Sequence, residues 1–344
     1  MTPSYLTILL IIAALFTCDT QAGNNIGKVD TRMVHRVSDI KQFNRIFNKL
    51  PKLKGNLIIE LENGVYSVDR RLWIRHPNLT IRSVSNKPED VVIESIGMKK
   101  TGAVKNLFDV AAPNFQLIGV TLRNAPNHLI QVHGKQNADD FLLDNCRLQD
   151  SYEQMLKVSH GKGPNAHSAD RGIVRNSLFE YTAGIGPQYY VAGIDAHNAH
   201  DWIVEGNEFR NIASPSERIS EFAIHFWNGS SNMIVRNNKI KDSDRGIGFG
   251  MKRHKLTVGG QIVNNVIVHS NKTHKFADVG ISLQKSPGTL VAGNTVLFEH
   301  DYPNAIEYRF KQTSDVIIRD NTVNRKIASR NGGQAKLVNN AVID

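Results

Sequence analysis

Six asparagines punctuate the second half of the chain inside short, similar segments: WIVEGNEF, MIVRNNKI, QIVNNVIV, LVAGNTVL, VIIRDNTV and KLVNNAVI. They are Asn207, Asn238, Asn265, Asn294, Asn321 and Asn340, with spacings of 31, 27, 29, 27 and 19 residues. Two earlier segments, FLLDNCRL and GIVRNSLF, fit the pattern with Cys146 and Ser177 at the asparagine position. Such a repeat restricts the chain to stacked units, each covering the next. Val/Ile pairs beside Asn-Asn and Gly-Asn are strand-and-turn sequence, which argues against a stack of helix pairs. The expected fold is all-β, a single-domain parallel β-helix with one coil per repeat. Asparagines stacked at a turn exchange amide hydrogen bonds from coil to coil, so this ladder is structural and carries no chemistry.

Ahead of the coils, SDIKQFNRIFNKL places Ile40, Phe43, Phe47 and Leu50 at helical spacing, with Ser38 as the expected N-cap. A helix there would cover the open end of the solenoid and protect its first edge. The segment GNLIIELENGVYSVDRRLWIRHPNLTIRS reads as the first coil, and no linker follows it. The expected organisation is a signal peptide over residues 1–22, an N-terminal cap over 23–53 and the β-helix over 54–344. The apolar run from Leu6 to Phe16 is short for a membrane span, and TQA ending at Ala22 supplies small residues for cleavage. Cys18 follows Thr17, a poor residue before a lipidated cysteine, so no lipid anchor is expected. The protein is expected to be secreted or periplasmic, with no membrane association after cleavage. Cys146 is then the one remaining cysteine, expected as a small buried residue and without an internal disulfide.

A second strand recurs at comparable phase: HLIQVHG, QMLKVSH, AGIDAHN, FAIHFWN, RGIGFGM, VGISLQK and NAIEYRF. Its anchors are Ile130, Leu156, Ile194, Ile224, Ile247, Ile281 and Ile306, each followed two residues later by a mostly apolar residue. Alternation of this kind turns one side inward and the other to solvent. The outward positions form two columns, Gln131, Lys157, Asp195, His225, Gly248, Ser282, Glu307 and His133, Ser159, His197, Trp227, Gly250, Gln284, Arg309. With coils ~4.8 Å apart, Lys157, Asp195 and His225 become neighbours, with His197 and Trp227 beside them and Gly248 and Gly250 as a bare rung. A solvated ladder of cross-strand pairs is the plain alternative. Two histidines, a tryptophan and a glycine floor instead fit a groove for a sugar chain. Long loops flank it, with Tyr189 and Tyr190 before the Asp195 strand, Arg245 before the glycine rung, and Lys252, Arg253, His254 and Lys255 after it.

The formal charge is +10, and removal of residues 1–22 takes away Asp19 and no base, giving +11. That balance favours a polyanionic partner. Export and the lack of a long Lys/Arg run point to acidic polysaccharide and away from nucleic acid. In a uronic acid polymer the carboxylate must be neutralised before the C5 proton can be removed. Departure of O4 then gives β-elimination, and reprotonation from the opposite face gives epimerisation. Lys157 and Arg245 are candidate clamps, His197 and His225 candidate proton-transfer groups, Tyr190 a candidate acid, and Asp195 an orienter or Ca²⁺ ligand. Trp227, Gly248, Gly250, Lys252, Arg253, Gln284, Glu307, Arg309, His133 and Ser159 are candidate substrate contacts. Hydrolysis needs two carboxyl groups roughly 5–10 Å apart. Asp195 and Glu307 stand four coil steps apart, ~19 Å, so a hydrolase would need loop acids such as Asp170, Asp201 or Asp244. A zinc site of His197, His200 and His225 ranks lower, because His200 lies beyond the strand.

The asparagine-laddered coils and the entry segment LIIELENGVYSV resemble right-handed parallel β-helices of the pectate-lyase-like superfamily, over roughly residues 54–344. That group includes lyases and C5-epimerases of alginate, pectin and glycosaminoglycans. GIDAHN is similar to the Asp-Pro-His motif of mannuronan C5-epimerases, with Asp195 and His197 at its ends and Ala196 in place of the proline. The resemblance implies proton abstraction by that pair. Lyase action on a uronate polymer is the leading expectation, with an epimerase, a glycan-binding or adhesion β-helix and a hydrolase as alternatives.

Overall fold

The computed structural model describes residues 32–99, 105–161, 163, 167–216, 218–274 and 276–343. The expected signal peptide and Cys18 lie outside these residues. From Arg32 onward the chain is one compact unit; it is the parallel β-helix expected from the repeat, with the right hand that the resemblance implied. Three parallel sheets run its length: twelve strands from Met33–Val37 to Ala335–Val338, eleven from Gly64–Ser67 to Ala341–Val342, and ten from Leu72–Ile74 to Lys326–Arg330. Among the described residues no helix is long and apolar enough to cross a membrane.

The repeat builds a corner between the twelve- and eleven-stranded sheets. In WIVEGNEF, Ile203–Glu205 belongs to the first and Glu208–Arg210 to the second. The residue before each ladder position takes a left-handed backbone: Asn145, Asn176, Gly206, Asn237, Asn264, Gly293, Asp320 and Asn339 all have φ between 50° and 66°. Only Gly, Asn and Asp visit that region at small cost, which explains the recurring Gly-Asn, Asn-Asn and Asp-Asn dipeptides. The turned backbone aims the next side chain inward. Asn207 Nδ2 donates to Asn238 Oδ1 at 3.0 Å, and the same bond repeats down to Asn340. Ser177 and Cys146 continue the line, each taking the ladder position as anticipated.

The helix forms over Ile40–Lys49, burying Phe43, Ile46 and Phe47. Its N-cap is Asp39, not Ser38, because Asp39 has the extended backbone and its carboxylate accepts the Gln42 N–H at 2.8 Å. Ser38 instead accepts from the Gln42 side chain. The solenoid also begins earlier than expected. Met33–Val37, inside the segment assigned to the cap, pairs in parallel with Leu57–Leu61, so the helix sits between the first two strands of a sheet.

The ten-stranded sheet carries the candidate residues in the expected register, with Leu156 opposite Ile194, Ile194 opposite Ile224 and Ile224 opposite Ile247. All seven anchors are fully buried, each contributing about 1.5–3 kcal/mol from its side chain. The sheet extends two strands upstream of the aligned series, through Phe108–Val110 to Leu72–Ile74.

Candidate active site

On the twelve-stranded sheet, outward residues form half-exposed ion pairs between coils, such as Arg175–Asp144 and Arg236–Glu205. The ten-stranded sheet differs. Its first column was expected to face solvent, yet Asp195 is 1 % exposed and His225 and Glu307 are 0 % exposed. Loops and neighbouring side chains cover these outward-pointing groups, so their charges must be settled within the protein.

Asp195 is the hub. One carboxylate oxygen pairs with the Lys157 ammonium, and the other accepts the Trp227 indole N–H at 2.5 Å. Burial alone would raise its pKa, but Lys157, then His197 and His225, hold it well below the usual carboxylate range. Lys157 Nζ also reaches His197 Nε2 at 2.9 Å. An ammonium can only donate, so Nε2 is the acceptor and His197 is the neutral imidazole with its proton on Nδ1. Burial pushes the His197 pKa down, against the pull of Asp195. Its ring lies 4.0 Å from Trp227 and 5.8 Å from His160, centroid to centroid.

His225 lies underneath. Its ring stacks on Trp227 at 5.4 Å, with Phe222 at 4.9 Å on another side. Nε2 contacts the Gly250 carbonyl at 3.2 Å, which places the proton there and leaves Nδ1 as an acceptor without a hydrogen bond, 3.7 Å from Glu221. Burial brings its pKa down to about 4. Enclosed in this way, its ring has no open face to solvent.

Gly248 and Gly250 were expected to leave a bare floor. The space over Gly248 is filled by Phe222, whose ring is 2.6 Å from where a Cβ would stand. Gly250 turns the backbone at φ +78°, with the Gln284 carbonyl oxygen 1.9 Å from a Cβ position. Both glycines therefore make room for protein atoms and not for a sugar. Phe222 in turn carries Arg245 4.3 Å above its ring. Arg245 donates to the Ser220 carbonyl and approaches Glu221 at 3.5 Å. Glu221 is held above the usual carboxylate range, chiefly by burial, with Arg245 opposing. Tyr190 joins the same group: burial raises its pKa, opposed by Lys157.

Lys157, Asp195, His197, His225, Trp227, Tyr190 and Arg245 thus come together, and the other expected contacts do not. His133 belongs to a cluster with Asp109, at 2.6 Å. Ser159 accepts from Gln131 on the path between the two groups. Gln284 bonds to Ser282. Glu307, four coils away, is saturated by Tyr302, Asn304 and Arg330, with Arg309 at 3.7 Å. Lys252 lies over Phe310, and Arg253 is exposed. The loop acids are consumed by turns: Asp170 accepts the His200 N–H, Asp201 the Asn232 amide, and Asp244 the Ser214 and Ser220 N–H groups and His274. His200 bonds to Ser231 away from the site. Both Asp195 oxygens are taken by donors, Lys157 and Trp227. Among the described residues no group of three or more His, Cys, Asp or Glu is arranged to hold a metal ion.

Sequence reasoning missed Glu221, Phe222 and His160. Glu221 and Phe222 stand at the strand entry SEFAIHFWN, where an acid and a large ring break the period of two. His254, read within a basic loop, packs edge-on against Trp227 at 4.4 Å.

The family model described as periplasmic copper-binding protein (NosD) matches residues 136–329, more than half the chain. The chain belongs to the NosD family. No curated protein matches this NosD-family chain. Among solved structures it is similar to an alginate lyase from Paenibacillus sp. str. FPU-7, at 14 % identity and TM-score 0.59, covering 91 % of this chain and 99 % of that one. It is also similar to PfbA, a surface adhesin of Streptococcus pneumoniae, at 12 % identity and TM-score 0.60, covering 91 % of each. At such identities the likeness is one of fold.

Proposed function

We propose that this protein acts in the periplasm on a uronic-acid polysaccharide, removing the C5 proton of one sugar and breaking the C4–O4 bond by β-elimination. The observation that carries the reading is the neutral His197 held against a buried Lys157–Asp195 pair, with Tyr190, Arg245 and Glu221 around it. Lys157 and Arg245 supply positive charge where the substrate carboxylate must be neutralised. As the Lys157 ammonium turns from His197 Nε2 to the substrate carboxylate, that nitrogen is freed and takes the C5 proton. The electron pair left on C5 forms the C4–C5 double bond as O4 departs, and the Tyr190 hydroxyl, kept protonated by burial, gives O4 its proton. His225, beneath them, positions Trp227 and Glu221. Return of a proton to C5 from the opposite face would make the same site an epimerase, and both routes share the first step.

Hydrolysis fits less well. Glu221 is a carboxyl suited to donate a proton, but both oxygens of Asp195 are engaged by Lys157 and Trp227, which leaves no free base opposite it. The family description includes copper. Cys146, the buried thiol, donates to the backbone carbonyls of Leu117 and Asp144 and lies against the backbone of Gly119 and Val120, and among the described residues no group of three His, Cys, Asp or Glu is arranged to hold a metal ion. These residues do not fit a copper centre.

The test is ultraviolet absorbance during incubation with alginate, pectate, hyaluronan, chondroitin and heparan. Unsaturated uronate should appear with one of them, and His197→Gln should lower kcat by about 10²–10⁴-fold at unchanged melting temperature. Because the His197 pKa is lowered, the acid limb of the rate profile should fall below pH 6.5. A flat trace on every polymer, together with no C5 hydrogen exchange in D₂O, overturns the reading.

A further inference from the structure

Four coil steps upstream of Asp195, on the same column, the strand Leu72–Ile74 presents Trp73. It belongs to RRLWIRH, where Arg71, Trp73 and Arg75 recur with the period of two that sends all three to the outward face. Arg71 lies 5.2 Å and Arg75 5.1 Å from the centre of the indole ring. Both arginines are exposed, and Trp73 is half-buried. Asp109, on the next coil, is 1 % exposed at its side chain and holds Arg71 at 2.7 Å and His133 at 2.6 Å. The His133 ring packs 5.2 Å from Trp73. The platform is therefore fixed from behind by a buried carboxylate, while its two cations face outward.

Two further observations point to a ligand. The Trp73 indole N–H is buried without a hydrogen-bond partner, although such a group usually finds one. A cavity of about 530 Å³ opens beside the ring, lined by Leu50, Pro51 and Leu53 of the cap together with Lys54, Trp73 and Arg75. An apolar surface beside an aromatic plane, edged by Lys54 and Arg75 with Arg71 over the same ring, suits the apolar face and carboxylate of a uronic acid unit.

We propose that Trp73, Arg71 and Arg75 form a distal subsite for the same polysaccharide, which runs along the solenoid axis across the ten-stranded sheet. This rests on the function proposed above. The distance from the Asp195 coil is four coil steps, ~19 Å, and the outward residues between them, Asp109, Gln131 and Lys157, form a continuous polar path. A coil step is close to the length of one sugar in an extended polymer. The subsite therefore engages chains that extend several units beyond the reacting sugar, and it makes the protein selective for long chains.

The experiment measures binding of a uronate hexasaccharide and trisaccharide to the His197→Gln protein, which holds substrate without turning it over. Replacing Trp73 with Ala should weaken hexasaccharide binding about tenfold and leave the trisaccharide and the melting temperature unchanged. Arg75→Gln, at an exposed position, should weaken the hexasaccharide less and flatten its salt dependence. Equal hexasaccharide affinity in all three proteins overturns the subsite and leaves the proposed function standing. Equal losses for both oligosaccharides overturn it as well, because the effect would then be general. Failure of both oligosaccharides to bind the Trp73-containing protein overturns the subsite together with the function.

Discussion

Two buried polar lines run along this solenoid, and they solve the same problem in opposite ways. At the asparagine corner six successive members, Asn207 to Asn340, are the same residue, and each interior amide gives and receives within the line. Asn265 accepts from the Asn238 backbone and side chain and donates to Asn294 and to the Val235 carbonyl. On the ten-stranded sheet the line reads Lys157, Asp195, His225, Gly248: charge, counter-charge, imidazole and a gap filled by Phe222. Its members depend on unlike partners, and one acceptor, His225 Nδ1, is left without a hydrogen bond. A repeat of identical groups stabilises evenly. A break in the repeat with buried, unlike charges concentrates reactivity in one place.

The comparison breaks most sharply at Lys157. Lys157→Met leaves Asp195 ionised and buried without its cation, and should destabilise the protein by about 3–5 kcal/mol in chemical denaturation. The double variant Lys157→Met, Asp195→Asn should recover most of that loss. If the single variant is as stable as the unaltered protein, the Asp195 charge is not settled by Lys157.

Acid comes next. His128 and His225 are both brought down to about 4 by burial. Because the folded pKa lies below the unfolded value near 6.5, stability is complete above pH 6.5. It falls as the unfolded chain takes up protons that the folded protein refuses until about pH 4. Each histidine should account for about 3 kcal/mol across that window. Asp195 adds to the loss only below about pH 3.8, since its folded pKa is depressed. Denaturation midpoints at pH 7, 5.5 and 4.5 check this, and a flat series would show that these histidines are not buried neutral.

The ladder should give the smallest change per residue. Asn265→Ala strips acceptors from two Asn238 donors and should cost about 1–3 kcal/mol, with turnover unaffected. Loss of activity in that variant would mean that the corner and the sheet are coupled, and that the two lines are not independent.

Much of this was legible in the residues. The Asn207-to-Asn340 spacing, the anchors from Ile130 to Ile306 and the meeting of Lys157, Asp195, His197 and Trp227 follow from periods that a solenoid keeps along its whole length. Gly248 misled, because a missing side chain looks the same in sequence whether a sugar or Phe222 fills the space. Glu221 and His160 escaped notice because they lie on connections, where position follows no period.

The sequence by itself determined the architecture, the register and the column on which the site stands. Parallel coils transmit those through local backbone rules, the left-handed turn before each ladder residue among them. Only the tertiary structure decided that Asp195 is buried and doubly bonded, that His225 is enclosed, that Glu221 joins the cluster and that Trp73 lines up with it. Burial and proximity between connections depend on how separate coils and loops pack against one another, and no local period encodes that.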